Sequence, residues 1–189
     1  MGEHANSVAP LLVSTEQGDL KSTFCKSLLP AALQRYYMDK VDLTSEGRVE
    51  RRLAEIGLLN LDEFDKYPST KMPLLKNLMQ MASLSLCKAY QKNHRSLPRI
   101  ASFIGTSNRK APTGSRRFIC VMVKRPIDCN GIEHKQIYAQ LKAEILSGER
   151  YWFTKEEEQV LQKNNLSFYR QGPVEDVLRS CYRSVEKGE

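Results

Sequence analysis

Four short, almost uninterrupted apolar runs, at residues 8–13, 58–61, 100–105 and 118–123, constrain this chain most. A run of that kind reads as a strand covered on both faces, because a half-exposed strand would alternate with polar residues. Residues 84–90 read as one more strand, separated from 100–105 by the polar, basic turn 91–96. Between the strands the pattern turns helical, over residues 21–37, 46–56 and 72–82, with Gly57 stopping the second helix. Beyond residue 127 it stays helical. Ile137, Leu141 and Ile145 recur at helical spacing up to Gly148, and Thr154 with Glu157 has the form of a capping box. Pro173 opens a last helix with Val174, Leu178, Cys181 and Val185 on one stripe. Strands alternating with helices predict a three-layer α/β core with a parallel sheet over residues 1–127, and a small helical subdomain over 128–189.

A composition of 41% hydrophobic and 27% charged residues excludes disordered and collagen-like chains. The apolar runs are far shorter than the roughly 20 residues that cross a bilayer, so no membrane span is expected. Met1-Gly2-Glu3-His4 has neither the basic start nor the apolar core of a secretion signal. Five scattered cysteines (Cys25, Cys87, Cys120, Cys129, Cys181), with no Cys-x-x-Cys spacing, point to free thiols in a reducing cytoplasm.

The net charge of +7 hides a sharp division. Residues 66–127 contain no Asp or Glu but thirteen Lys or Arg, and the rest of the chain carries 16 basic and 22 acidic residues. A polyanion, nucleic acid or nucleotide phosphate, is the expected partner of the basic middle; a solvated basic face is the alternative.

The first strand runs into Ser14-Thr15-Glu16-Gln17-Gly18-Asp19, and a helix opens with Lys21-Ser22-Thr23. In this context a phosphate-binding loop is expected. Gln17, Gly18, Asp19 and Thr23 would line the phosphates, Lys21 would reach the terminal ones, and the Ser22 hydroxyl would hold Mg²⁺. Thr15 and Leu20 stand where such a loop carries its two glycines, so an ordinary strand-to-helix turn stays open. About 40 residues on, the second apolar strand ends in Asp62-Glu63. That pair suits phosphoryl transfer, with Asp62 in the Mg²⁺ shell and Glu63 polarising a water. The strand at 100–105 delivers Thr106-Ser107-Asn108, and an amide there can orient both the water and the γ-phosphate. Arg116-Arg117 precedes the last strand. One of the two suits a finger inserted into a neighbouring subunit, and the other a phosphate clip or a surface position.

Four motifs, in this order, resemble the virulence-associated protein E family: the stretch from Leu11-Leu12-Val13-Ser14 to Gln17-Gly18-Asp19-Leu20-Lys21-Ser22-Thr23-Phe24; Leu61-Asp62-Glu63-Phe64-Asp65; Phe103-Ile104-Gly105-Thr106-Ser107-Asn108; and Thr113-Gly114-Ser115-Arg116-Arg117-Phe118. Gly148-Glu149-Arg150-Tyr151-Trp152-Phe153 extends the likeness. More narrowly, the chain resembles the versions from Bacteroides-type bacteria and their mobile elements. The resemblance implies a P-loop NTPase core of the ASCE/AAA+ type, similar to superfamily 3 helicases and often joined to a primase-like domain. It implies ATP and Mg²⁺ as cofactors, Lys21 and Ser22 as phosphate and metal groups, and Asp62 and Glu63 as the metal and water pair. Asn108 becomes the sensor and Arg116 or Arg117 the finger of a homo-oligomeric ring. Two departures stand out: Leu20 replaces the glycine before the lysine, and the segment from Asn108 to Arg116 is short. A displaced finger would leave binding intact and impair turnover, because geometry supplies much of the rate.

In ring helicases of the resembled superfamily a hairpin between the acidic and sensor strands grips single-stranded DNA. Here Lys88, Lys92, His94 and Arg95 would contact phosphates and Tyr90 would stack on a base. His4, His94 and His134 are too scattered for zinc, and no nucleophile–base arrangement is legible. The reading is therefore an ATPase core that couples MgATP hydrolysis to movement on single-stranded or duplex DNA during replication of a mobile element. The alternatives are a nucleotide-independent DNA-binding remnant and an inactive structural fragment of a larger primase-helicase.

Overall fold

The computed structural model describes residues 6–16, 18–43, 46–87, 94–109 and 117–168. In chain order the strands and helices are β1 (Ala9–Val13), α1 (Lys21–Ser27), β2 (Tyr37–Asp39), α2 (Glu46–Leu53), β3 (Leu58–Leu61), α3 (Met72–Gln80), β4 (Ser83–Cys87), β5 (His94–Pro98), β6 (Ser102–Ser107), β7 (Phe118–Met122), α4 (His134–Leu146) and α5 (Lys155–Asn164). Five strands form one wholly parallel sheet in the order β2-β3-β6-β1-β7. The mixed α/β architecture expected from the sequence is therefore present.

Alternation along the strands divides the core in two. Ala9, Leu11, Val13, Leu59, Leu61 and Phe103 pack with Val49 and Leu53 of α2, with Met72, Leu75, Leu78 and Met79 of α3, and with Leu84 of β4. Leu12 and Ile104 face the other way, onto Cys25 of α1. At the sheet centre Gly105 leaves room for Leu11: a Cβ there would lie 2.9 Å from Leu11 Cδ1, so a larger residue would have to displace that side-chain methyl. Pro10 is tolerated in β1 because Ala9 donates to Arg117 O on the β7 side, which turns the Pro10 nitrogen toward β6 ahead of the first β1–β6 pair, Leu11 with Gly105.

Two expectations are corrected. The helix expected over 21–37 stops at Ser27, because Pro30 cannot donate and pushes Leu29 out of helical backbone. Residues Ala31–Tyr36 continue as a 3₁₀ helix and lead into the edge strand β2, which the sequence pattern did not announce. The turn expected over 91–96 is corrected over its described part: β4 and β5 form an antiparallel hairpin pair, so His94–Ser96 are strand residues, and the pair stands apart from the main sheet, while residues 88–93 lie outside the described residues.

Arg99 fixes the foot of that hairpin. It is 8% exposed, and its guanidinium donates to Met81 O (2.7 Å), Asn6 O (2.8 Å), Met79 O (3.1 Å) and Ala101 O. One of the thirteen basic residues is thus engaged with backbone carbonyls and is withdrawn from any polyanion surface. Beyond β7, α4 meets the end of α1, where the His134 ring lies 2.7 Å from Ser27 O and the Tyr138 hydroxyl donates to Leu28 O. The capping box of α5 is present: Glu157 N donates to Thr154 Oγ1 (3.3 Å) and Thr154 N to Glu157 Oε2 (2.8 Å). Buried Asn165 completes the edge of β7, accepting from Cys120 N and donating to Phe118 O. The helix expected from Pro173 lies outside the described residues. No helix among those described is long and apolar enough to cross a membrane.

Candidate functional site

In a parallel sheet every strand ends at the same edge, so the residues that follow β1, β3 and β6 converge there. After β1, Ser14 organises the loop. Its hydroxyl donates to the Asp19 carboxylate and accepts from Glu16 N (3.0 Å), and its amide donates to Ser107 O at the tip of β6 (3.1 Å). Gly18 takes φ +89°, and Leu20 is left-handed at φ 57°, ψ 23°. Leu20 therefore adopts the backbone that a glycine would adopt without strain. Lys21, only 7% exposed, leans back on the loop with Nζ 3.4 Å from Glu16 O.

The two motifs meet through side chains 40 residues apart. Ser22 Oγ donates to Asp62 Oδ1 at 2.6 Å, and Thr106 Oγ1 donates to the same oxygen at 2.7 Å. Thr106 Oγ1 also accepts from Glu63 N (3.2 Å), so one buried hydroxyl fixes both acidic residues. Asp65 holds the neighbouring strand tip, accepting from Ser107 Oγ (3.1 Å) and Asn108 N (3.2 Å). Gly18, Asp19, Leu20, Lys21, Ser22, Thr23, Asp62, Glu63, Thr106 and Asn108 together line a cavity of about 330 Å³.

Glu63 is held by two ammonium groups. Lys66 Nζ contacts Oε1, and Lys40 Nζ lies 2.9 Å from Oε2. The Lys66 hydrogen bond, and after it that of Lys40, holds the Glu63 carboxyl down at about 2. Lys40, Glu63 and Leu20 are the three non-glycine residues with positive φ among those described, and all stand at this edge. Strained backbone of this kind gathers where function constrains it.

Residues 6–170 match the model of the virulence-associated protein E-like domain. The chain belongs to that family. Two solved structures of the NrS-1 C-terminal region, both in the A form and without ligand, are similar to it at 19% and 18% identity, with TM-scores of 0.44 and 0.47. They cover 88% of this chain, which spans only 35% and 36% of theirs. No curated protein matches.

In this VapE-like domain the structure brings Gly18, Asp19, Lys21, Ser22, Thr23, Asp62, Glu63 and Asn108 to one cavity; Gln17 lies outside the described residues. Arg117 is placed elsewhere. It precedes β7 and so stands at the opposite edge of the sheet, roughly 16 Å from the cavity at a strand rise of about 3.3 Å per residue. A role as phosphate clip in its own cavity is excluded by that distance. Arg116, Lys88, Tyr90 and Lys92 lie outside the described residues, and His94 and Arg95 are placed only as backbone of β5. Thr106, Asp65, Lys40 and Lys66 were not singled out from the sequence. A hydroxyl two residues before the strand-tip Asn108 is a usable signal for Thr106, and the spacing of three residues from Glu63 is one for Lys66, whereas Lys40 becomes visible only once β2 is known to border β3.

Proposed function

We propose that this VapE-like domain is the P-loop ATPase core of a replication protein of a mobile element, coupling MgATP hydrolysis to movement on DNA. The observation that carries the reading is the Ser22–Asp62 contact of 2.6 Å beside the buried Lys21, at the edge where β1, β3 and β6 end. The strand order adds support, because β6, with Asn108 at its tip, lies between the strand of the loop and the strand of the carboxylates.

The donors suit Mg²⁺, which takes hard oxygens at about 2.0–2.1 Å in an octahedron whose neighbouring ligands lie about 3 Å apart. Ser22 Oγ and Asp62 Oδ1 are such a pair. Bound there, the ion would shield phosphate charge and orient the terminal phosphoryl group for in-line attack. Lys21 would exchange the Glu16 carbonyl for a phosphate oxygen. Thr106 keeps Asp62 turned toward Ser22, Glu63 polarises the attacking water, and Asn108 orients it. Arg116 or Arg117 would act in a neighbouring subunit's cavity, which makes the active unit a homo-oligomeric ring.

MgATP is expected to raise the melting temperature of the wild-type chain but not of Lys21→Ala. Glu63→Gln should still bind MgATP and lose at least about 10²-fold in turnover. Equal, slow hydrolysis by wild type and Glu63→Gln would sink the enzyme reading. One observation favours the DNA-binding remnant instead: the Leu20 side chain, 46% exposed, lines the cavity where phosphate would approach. That reading requires DNA affinity that falls steeply with salt and is indifferent to nucleotide.

A further inference from the structure

Asp62 and Glu63 line a second cavity as well as the first. It has about 320 Å³, and its wall includes Lys40, Lys66, Tyr67 and Lys71. Glu63 thus stands between a loop-lined space and a lysine-lined one, with both carboxylate oxygens taken by ammonium groups from the lysine side. The two lysines come from different elements. Lys40 follows β2 with left-handed backbone (φ 60°), and Lys66 closes the 3₁₀ turn Phe64–Lys66. Lys40 Nζ also lies 4.0 Å from Asp62 Oδ2, so a single side chain addresses both acids. Each oxygen keeps a second lone pair, but with an ammonium contact on both, the carboxylate is held toward the lysine side rather than free to turn toward a water in the loop-lined space.

We propose that Lys40 and Lys66 are positioning residues that restrain Glu63 in a resting, hydrolytically incompetent orientation, from which it must be released for turnover. This rests on the assignment of Glu63 as the water-polarising group. Both lysines are well exposed, with side chains 58% and 66% accessible, so the restraint is weak enough to be broken by a ligand and either lysine can be replaced without opening the core.

The test uses the full chain with Lys40→Met, Lys66→Met, the double variant and Lys40→Arg. The double variant should bind MgATP as wild type does and hydrolyse it about threefold to tenfold faster without DNA, while Lys40→Arg retains the wild-type rate. Intact binding with an unchanged or lower rate in the double variant overturns the restraint. An independent reading separates this from failure of the ATPase assignment. In wild type, acylation of Lys40 and Lys66 by an amine-reactive ester, followed by mass spectrometry, should be several-fold slower than in Glu63→Gln. Equal labelling overturns the restraint whether or not the chain turns over ATP.

Discussion

Toward α2 and α3 the sheet contributes to one cluster of eighteen buried apolar residues among those described; toward α1 the corresponding cluster holds three, Leu12, Cys25 and Ile104. The first face is covered by two helices and the hairpin, the second by a helix of seven residues. Besides that small apolar cluster, α1 is joined to the sheet edge by the Ser22–Asp62 hydrogen bond. Stability resides on the thick face, and the phosphate-loop candidate rides on the thin one. A region with few buried contacts opens at lower free energy than the rest, so α1 and its loop can shift without unfolding the sheet.

The largest expected effect tests that inequality. Leu59→Ala, at a fully buried position in the thick cluster, should cost about 3–5 kcal/mol of unfolding free energy in a denaturant titration. Leu12→Ala, in the thin cluster, should fall near the lower end of the same range, about 2–3 kcal/mol, because a sparsely packed layer collapses into the space. Equal losses would mean that α1 is packed as firmly as α3 and that the two faces do not differ.

Legibility in the sequence follows the same division. β1, β3 and β7 could be read because each is a short apolar run, and Asp62, Glu63 and Asn108 because they follow strands whose ends share one edge. The edge strand β2 is not legible: three residues, Tyr37-Met38-Asp39, give no period, and the apolar pattern runs on past Pro30 as if one helix continued. The hairpin was half legible, since a basic turn was visible while the pairing of Leu84 with Leu97 depends on tertiary contact. Lys40 and Thr106 reach the carboxylates only through the order of strands, which no local pattern encodes, whereas Lys66 meets Glu63 from three residues away within one turn. Arg99 lay within a basic tract whose charge suggested a ligand, yet its own partners are carbonyls of the fold.

Cys25 offers an intermediate effect on the thin face. It has no exposed surface, and burial first, then the charges of Asp39 and Asp62, push its thiol from 9.0 up to about 12. The folded state therefore keeps a proton that the unfolded chain releases, so stability is unaffected below pH 9 and declines as pH rises from 9 to 12. Cys25→Ala should lack that part of the alkaline decline when unfolding free energies are compared across this window. Cys120, packed against the thick cluster and raised by burial to about 11, supplies the comparison through Cys120→Ala, with a window that closes sooner. If Cys25→Ala declines as steeply as wild type, the thiol is already reached by water and α1 does not seal its side of the sheet.

The smallest expected effect lies at the rim above the thin face, where Leu20 holds φ 57°. Left-handed backbone costs a residue with a side chain about 1–2 kcal/mol, and glycine avoids this but loses roughly 0.5–1 kcal/mol through its freer unfolded chain. Leu20→Gly should therefore gain about 0.5–1 kcal/mol in a denaturant titration, even though it deletes an apolar side chain. The same change removes a side chain from the lining of the loop cavity, so the MgATP-dependent rise in melting temperature should be at least as large as in wild type. A loss of stability would locate the strain elsewhere and mean that Leu20 is held by packing rather than by the demand of the loop. A gain in stability without any nucleotide-dependent rise would leave the loop a strained turn with no phosphate to serve, and the thin face would then be a relic of the thick one's architecture.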